Sequence, residues 1–96
     1  MTHELKTLPT YWDAIQRGEK TFEVRRNDRG FQKGDELRLM RHNGMHSAPL
    51  LPPGEYSVYE QHYILRRKIT YILAGGQFGI EPGFVVMALA EVPRES

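Results

Sequence analysis

The spacing of apolar positions changes several times along the chain, and each change marks an element. Residues 2–6 alternate loosely and predict a short strand or an extended lead-in. Leu8, Tyr11, Trp12 and Ile15 then follow the spacing of one helical face. Pro9 stands in a first helical turn, where its missing N–H would have had no partner. Arg17 suits the negative end of the helix dipole and Gly18 a left-handed cap, so a helix is predicted over residues 9–17.

From Lys20 to Arg25 the period drops to two. Phe22 and Val24 share one face, which reads as core; Thr21, Glu23 and Arg25 share the other, which reads as polar. Turn residues follow at Asn27-Asp28-Arg29-Gly30 and at Gly34-Asp35, the second feeding a strand over residues 36–41 with Leu37 and Leu39 on one face. Residues 42–55 hold Asn43-Gly44, Pro49 and Pro52-Pro53-Gly54 without a period, and predict a long loop. Strand-like composition returns at Tyr56, Val58 and Tyr63 to Leu65. Ile69 to Leu73 reads as a strand, Gly75-Gly76-Gln77-Phe78-Gly79 as a glycine-rich turn, and Phe84 to Leu89 as a strand buried on both faces. The tail at 93–96 is expected to fray.

One early helix and five or six strands, without βαβ alternation, predict a mainly β (α+β) domain. The expected form is a small barrel or sandwich of mostly antiparallel strands spanning residues 1–96.

Composition narrows the partners. The 96 residues are 40% apolar and 26% charged, ordinary for a globular chain. Cysteine is absent, which removes disulfides, thiolate nucleophiles and zinc–thiolate sites together. Neither a signal-peptide core nor a membrane-length apolar run is visible, so a bacterial, archaeal or phage cytoplasm is the expectation, with no membrane partner and a monomer by default. A net charge of +1 is low for a protein that wraps duplex DNA. It leaves room for a local contact with a single strand or a nucleotide.

The strand at 20–25 offers the most chemistry. Its polar face presents a hydroxyl, a carboxylate and a guanidinium, with Lys20 just before it. Such a face is either a solvated edge on which Glu23 and Arg25 pair, or a cleft. In a cleft, Arg25 presents a planar fork to phosphate or a base edge, and Glu23 accepts from a base amino group. Further cations lie at Arg26, Arg29, Lys33, Arg38 and Arg41 and at Arg66-Arg67-Lys68, interrupted by Asp28, Asp35 and Glu36. They read either as a mixed soluble surface or as a nucleic-acid patch. Tyr56, Tyr59, Tyr63 and Phe78 are stacking candidates or packing residues. His42 and His46 are four apart, but Asn43-Gly44 opposes the helix that would align them on a metal, so no metal and no cofactor is expected. Ser-His-Asp order is absent, and the glycine-rich turn lacks the Lys-Ser/Thr ending of a phosphate loop.

The string Gly18-x-Lys20-x-x-Glu23-x-Arg25, with a helix before it and Phe31-x-x-Gly34-Asp35-x-Leu37 after it, resembles an ASCH domain of the PUA-like superfamily. The likeness is closest to an uncharacterised prokaryotic and phage branch. It runs through His3-Glu4-Leu5-Lys6, Lys20 to Arg25, Asn27-Asp28-Arg29-x-Phe31, Lys68-x-Thr70-Tyr71-Ile72-Leu73 and Gly75-Gly76-Gln77-Phe78-Gly79-Ile80. The resemblance implies a PUA-like β-barrel with a cleft beside the first helix, and a role in RNA binding or RNA-linked chemistry. It places Lys20, Glu23 and Arg25 on the cleft motif, with His3 and Lys6 joining from the first strand. Thr21, on the same strand face, and Arg26, the next cation, complete the expected binding residues from the pattern alone. Some small ASCH proteins are amidohydrolases of N4-acetylcytidine that use a lysine, a threonine three residues later and a distant glutamate. Lys20 matches the lysine, Glu23 stands where the threonine would be, and Glu55, Glu60 and Glu81 are candidates for the glutamate. Three functions follow as expectations: an RNA- or nucleotide-binding domain, a small hydrolase of modified nucleosides or RNA in which Lys20 and Glu23 are catalytic, and a phage or host protein-interaction module using the 42–63 loop with its Leu50-Leu51-Pro52-Pro53 run.

Overall fold

The computed structural model describes residues 1–42 and 64–93. They form β1 (Thr2–Thr7), α1 (Pro9–Gln16), β2 (Phe22–Arg26), β3 (Glu36–Arg41), β4 (Ile64–Ala74) and β5 (Phe84–Glu91). Residues 43–63 and 94–96, which hold all but His42 of the expected 42–55 loop, the strand-like residues at 56–63 and all but Pro93 of the expected 93–96 tail, lie outside the described residues.

The five strands make one sheet in the order β1-β3-β4-β5-β2. β3, β4, β5 and β2 pair antiparallel in turn, whereas β1 lies parallel to β3, with Leu5 opposite Leu39. The fold is therefore mainly β with one short helix after the first strand, but the sheet is mixed and curled where a mostly antiparallel barrel was expected. Parallel neighbours need a crossover, and α1 with β2 supplies it.

Alternation explains the core. His3, Leu5 and Thr7 of β1 point inward, as do Leu37, Leu39 and Arg41 of β3. From β5, Val85 and Met87 are buried while Phe84, Val86 and Ala88 are half-buried, so the strand expected to be covered on both faces is fully covered on one. β4 is longer than its apolar run, extending back through Arg66-Arg67-Lys68, with its register to β5 shifting between Ile69 and Tyr71.

α1 closes one side of this core. Leu8 has an extended backbone because a proline follows it, and Pro9 opens the helix. Trp12 and Ile15 are buried. The Trp12 indole N–H donates to the Leu39 carbonyl at 2.8 Å, and the Arg41 guanidinium grips Asp13 through two bonds of 2.9 and 3.0 Å. Both ties pin α1 to β3.

The outer edges, β1 and β2, are joined by side chains. Arg25 donates to the Lys6 carbonyl at 3.0 Å and to the Thr7 hydroxyl at 3.0 Å, and Arg29 donates to the Glu4 carbonyl at 2.9 Å. Carbonyls two residues apart on a strand point the same way. Two arginines thus cap the acceptors that the β1 edge would otherwise leave open to another chain. Among the described residues no helix is long and apolar enough to cross a membrane.

Candidate functional site

The helix end delivers the first functional side chain. Gly18 takes a left-handed conformation, with φ at 80°. Around it the Gly18 N–H donates to the Ile15 carbonyl and the Glu19 N–H to that of Ala14, the paired pattern that ends many helices at glycine. The Lys20 N–H also reaches the Ala14 carbonyl, at 3.1 Å, so the turn fixes where Lys20 leaves the helix.

β2 then runs opposite to its hydropathy. Phe22 is 44% exposed and Val24 49%, while Glu23 is 3% exposed. The alternation was legible, but its two faces are exchanged relative to expectation. A carboxylate can turn inward when cations meet it there, because pairing and hydrogen bonds offset the loss of water. The Lys20 ammonium donates to Glu23 Oε1 at 2.6 Å, and Arg25 Nε donates to Oε2 at 2.7 Å. Lys20 also donates to the Phe22 carbonyl at 2.7 Å and lies 5.4 Å from the centre of the Tyr11 ring and 4.9 Å from that of Phe22. The arrangement is a buried anion clamped between two cations, one of them framed by aromatic rings.

This cluster floors a cavity of about 470 Å³ lined by Lys6, Thr7, Leu8 and Tyr11 from one side and Lys20 and Phe22 to Arg25 from the other. The volume lies within the range of small-ligand sites. Leu8, Tyr11, Phe22 and Val24 are large exposed apolar side chains, and all four stand on its wall. Their exposure, unexplained by packing, is concentrated where a ligand would cover it.

Of the residues expected in the cleft, Lys6, Lys20, Glu23 and Arg25 meet here. Thr21 and Arg26 do not line this cavity. Thr21 is exposed and its carbonyl accepts the Leu89 N–H, while Arg26 packs its guanidinium 5.1 Å from the centre of the Phe84 ring. His3 is buried at the other end of β1 and does not line this cavity; it is bonded to Asp35 at 2.8 Å with its ring edge-on to Phe31. The other cations are largely engaged: Arg38 meets Glu4, Arg66 forms two bonds to Glu36, and Arg67 reaches the Ile15 carbonyl. Phe78 is 84% exposed at the β4–β5 turn and lines neither this cavity nor its neighbour. Tyr56, Tyr59, Tyr63, His46, Glu55, Glu60 and the proposed docking loop lie outside the described residues.

Sequence reasoning missed Thr7, Leu8 and Tyr11 as site residues. Leu8 and Tyr11 share one helical face with Trp12 and Ile15, and that spacing does not tell a cavity wall from a buried side. Of the eight-residue helix only Trp12 and Ile15 are buried, whereas Tyr11 and the preceding Leu8 stay half exposed. Thr7 was legible only through the β1–β2 seam, which no local pattern encodes.

The family described as a domain of unknown function, DUF3850, matches residues 2–89, and the chain belongs to it. No curated protein matches the chain.

Proposed function

We propose that this is an ASCH-like domain that binds RNA or a nucleotide in the cavity above Glu23. The observation that carries the reading is convergence: Lys20, Glu23 and Arg25 meet on one floor, between Tyr11 and Phe22. Rings with adjacent cations suit a nucleobase, whose face stacks while its edge and phosphate accept from the cations. The helix after the first strand and the curled five-stranded sheet are in keeping with a PUA-like barrel. Glu23 works on Lys20 and Arg25, fixing their donors, since each of its oxygens already receives a cationic N–H. The four nucleoside monophosphates and short single-stranded RNAs, titrated by calorimetry at several salt concentrations, test the proposal. Binding that weakens with salt and drops on Lys20→Ala or Tyr11→Ala is the expected result. No binding at low salt, or affinity indifferent to both substitutions, would remove it.

One observation favours a second reading, a hydrolase of acylated nucleosides. The hydroxyl missing at position 23 is present at Thr7, across the same cavity, where it accepts from Arg25. A hydroxyl activated by a base is a nucleophile for acyl transfer. Chromatography of N4-acetylcytidine after incubation with the protein decides this: deacetylation lost in Thr7→Val and Lys20→Ala supports turnover, and intact substrate at high protein concentration excludes it.

A further inference from the structure

A second cavity, of about 640 Å³, opens beside the first and shares Lys6 and Arg25 with it. It follows the β1–β2 seam past Glu4 and Leu5 to Arg26, Asp28 and Arg29, over the side chains of Phe31 and Met40. Its character is different. Where the first cavity has exposed aromatic walls, this one is rimmed by charge.

The charges can be balanced residue by residue. Glu4 is answered by Arg38 at 3.0 Å, and Arg25 by Glu23 at 2.7 Å. That leaves Lys6, Arg26 and Arg29 against Asp28, an excess of two positive charges along one groove. Arg29 gives one N–H to the Glu4 carbonyl, its one hydrogen bond among the described residues, and lines the groove. Arg26 is exposed, its guanidinium held against the Phe84 ring and so pre-positioned, with no anionic partner among the described residues. The net charge of the whole chain is +1, so this excess is local.

We propose that the two cavities form one continuous site for a single-stranded nucleic acid. One base sits between Tyr11 and Phe22, and the phosphates that flank it lie along the seam on Lys6, Arg26 and Arg29. A lone nucleotide would fill the first cavity and leave the groove empty. An oligonucleotide is the ligand class whose repeating anion and base match an aromatic pocket continued by a cationic trough. The inference rests on the reading of the first cavity given above and goes beyond it in choosing the strand over the monomer.

The test compares a nucleoside monophosphate, single-stranded RNA and DNA of six to eight nucleotides, and inorganic polyphosphate as a base-free polyanion. Each is titrated against the unaltered protein and against Arg26→Gln. Oligonucleotides are expected to bind at least about tenfold tighter than the monophosphate. Arg26→Gln is expected to cost the oligonucleotide about fivefold in 0.1 M salt and to flatten its log–log salt slope by about 0.7, the value of one phosphate contact on a single strand. The monophosphate affinity should stay the same, because Arg26 is outside the first cavity. Arg29→Gln should act like Arg26→Gln; if it fails to fold, Arg26→Gln still decides. Monophosphate binding with oligonucleotides no tighter overturns the continuous site and leaves the single-nucleotide reading standing. Absence of all binding overturns both. Polyphosphate held as tightly as the oligonucleotide also overturns it, because the base pocket would then contribute nothing.

Discussion

Arg25 Nη2 donates to the Thr7 hydroxyl at 3.0 Å, and through that bond the last strand of the sheet order is tied to the first. The same guanidinium holds Glu23 and the Lys6 carbonyl, so all three of its nitrogens are in use. Arg25 therefore maintains the seam on which the site is built. Arg25→Ala should destabilise the protein as well as weaken binding. Losing one partner of a buried carboxylate costs about 3–5 kcal/mol when nothing replaces it. Lys20 remains on Glu23 and Arg25 is partly exposed, so about 2 kcal/mol is expected. In a domain of this size that is a fall of roughly 8–16 °C in Tm, readable by calorimetry. An unchanged Tm would make the seam bonds incidental.

Glu23 provides a sharper test, because its value depends on its partners. Glu23→Gln leaves two cations facing a neutral amide and should cost about 1–3 kcal/mol. Glu23→Gln combined with Lys20→Met removes one cation as well, and should cost less than the sum of the two single changes by about 1 kcal/mol. Urea unfolding followed by the fluorescence of Trp12, the one tryptophan of the chain, gives all three values. Strict additivity would mean that the Lys20–Glu23 contact contributes no coupling.

Such coupling also explains what the sequence could and could not disclose. Helix 9–17 and strand 36–41 were legible because local signals agree there: Pro9 before the apolar stripe, Gly18 after it, Leu37 and Leu39 two apart. In β2 the alternation was legible but its direction was not. Phe22 and Val24 argue for one direction by hydropathy, and Glu23 argues for the other only once Lys20 and Arg25 are seen to converge on it. The flanking cations were the available clue. The parallel β1–β3 pair had no clue of this kind, because register between distant strands is decided by the assembled core. The cavity wall at Leu8 and Tyr11 was hidden for the same reason: their helical spacing is equally that of a buried face.

Acid should weaken the fold through Asp35. Its carboxyl is held below the ordinary 3.8, first by the bond from His3 and further by the Gln32 N–H and the chain's ammonium terminus, against an opposing effect of burial. For a carboxylate depressed on folding, the stabilisation is complete above the unfolded value and disappears as pH falls through the folded one. Stability should therefore decline from about pH 4.5 downward as the unfolded chain takes up the proton first. Asp13, lowered chiefly by its bond to Arg41, and Glu36, lowered chiefly by Arg66, add in the same direction. Asp35→Asn should be less stable at pH 7 and show a shallower acid decline, the other two carboxylates keeping part of it. Urea midpoints measured at half-unit steps from pH 3 to 7 check this. Parallel curves for the two proteins would exclude Asp35 as a contributor.

The β4–β5 turn makes a prediction independent of every ligand. A Cβ added at Gly75 would lie 2.0 Å from the Glu81 carbonyl oxygen and 2.7 Å from that of Phe84. Both are backbone atoms and cannot swing aside. The Gly75 N–H also donates to the Phe84 carbonyl at 2.7 Å, so relieving the clash breaks a bond that holds the start of β5. Overpacking of this kind costs about 1–3 kcal/mol and the lost bond about 1 more. At Gly76 the situation is reversed: φ is 83°, but a Cβ would approach only the Pro82 ring, at 4.0 Å. Gly76→Ala carries backbone strain alone, about 1–2 kcal/mol. The urea midpoint should therefore fall further for Gly75→Ala than for Gly76→Ala. Because Phe84 pairs with Arg26 across β5 and β2, Gly75→Ala should also loosen the groove end of the site, seen as faster amide exchange at Arg26 than in the unaltered protein. Equal midpoints with unchanged exchange would show that the turn accommodates the methyl group and that its glycine serves only the chain reversal.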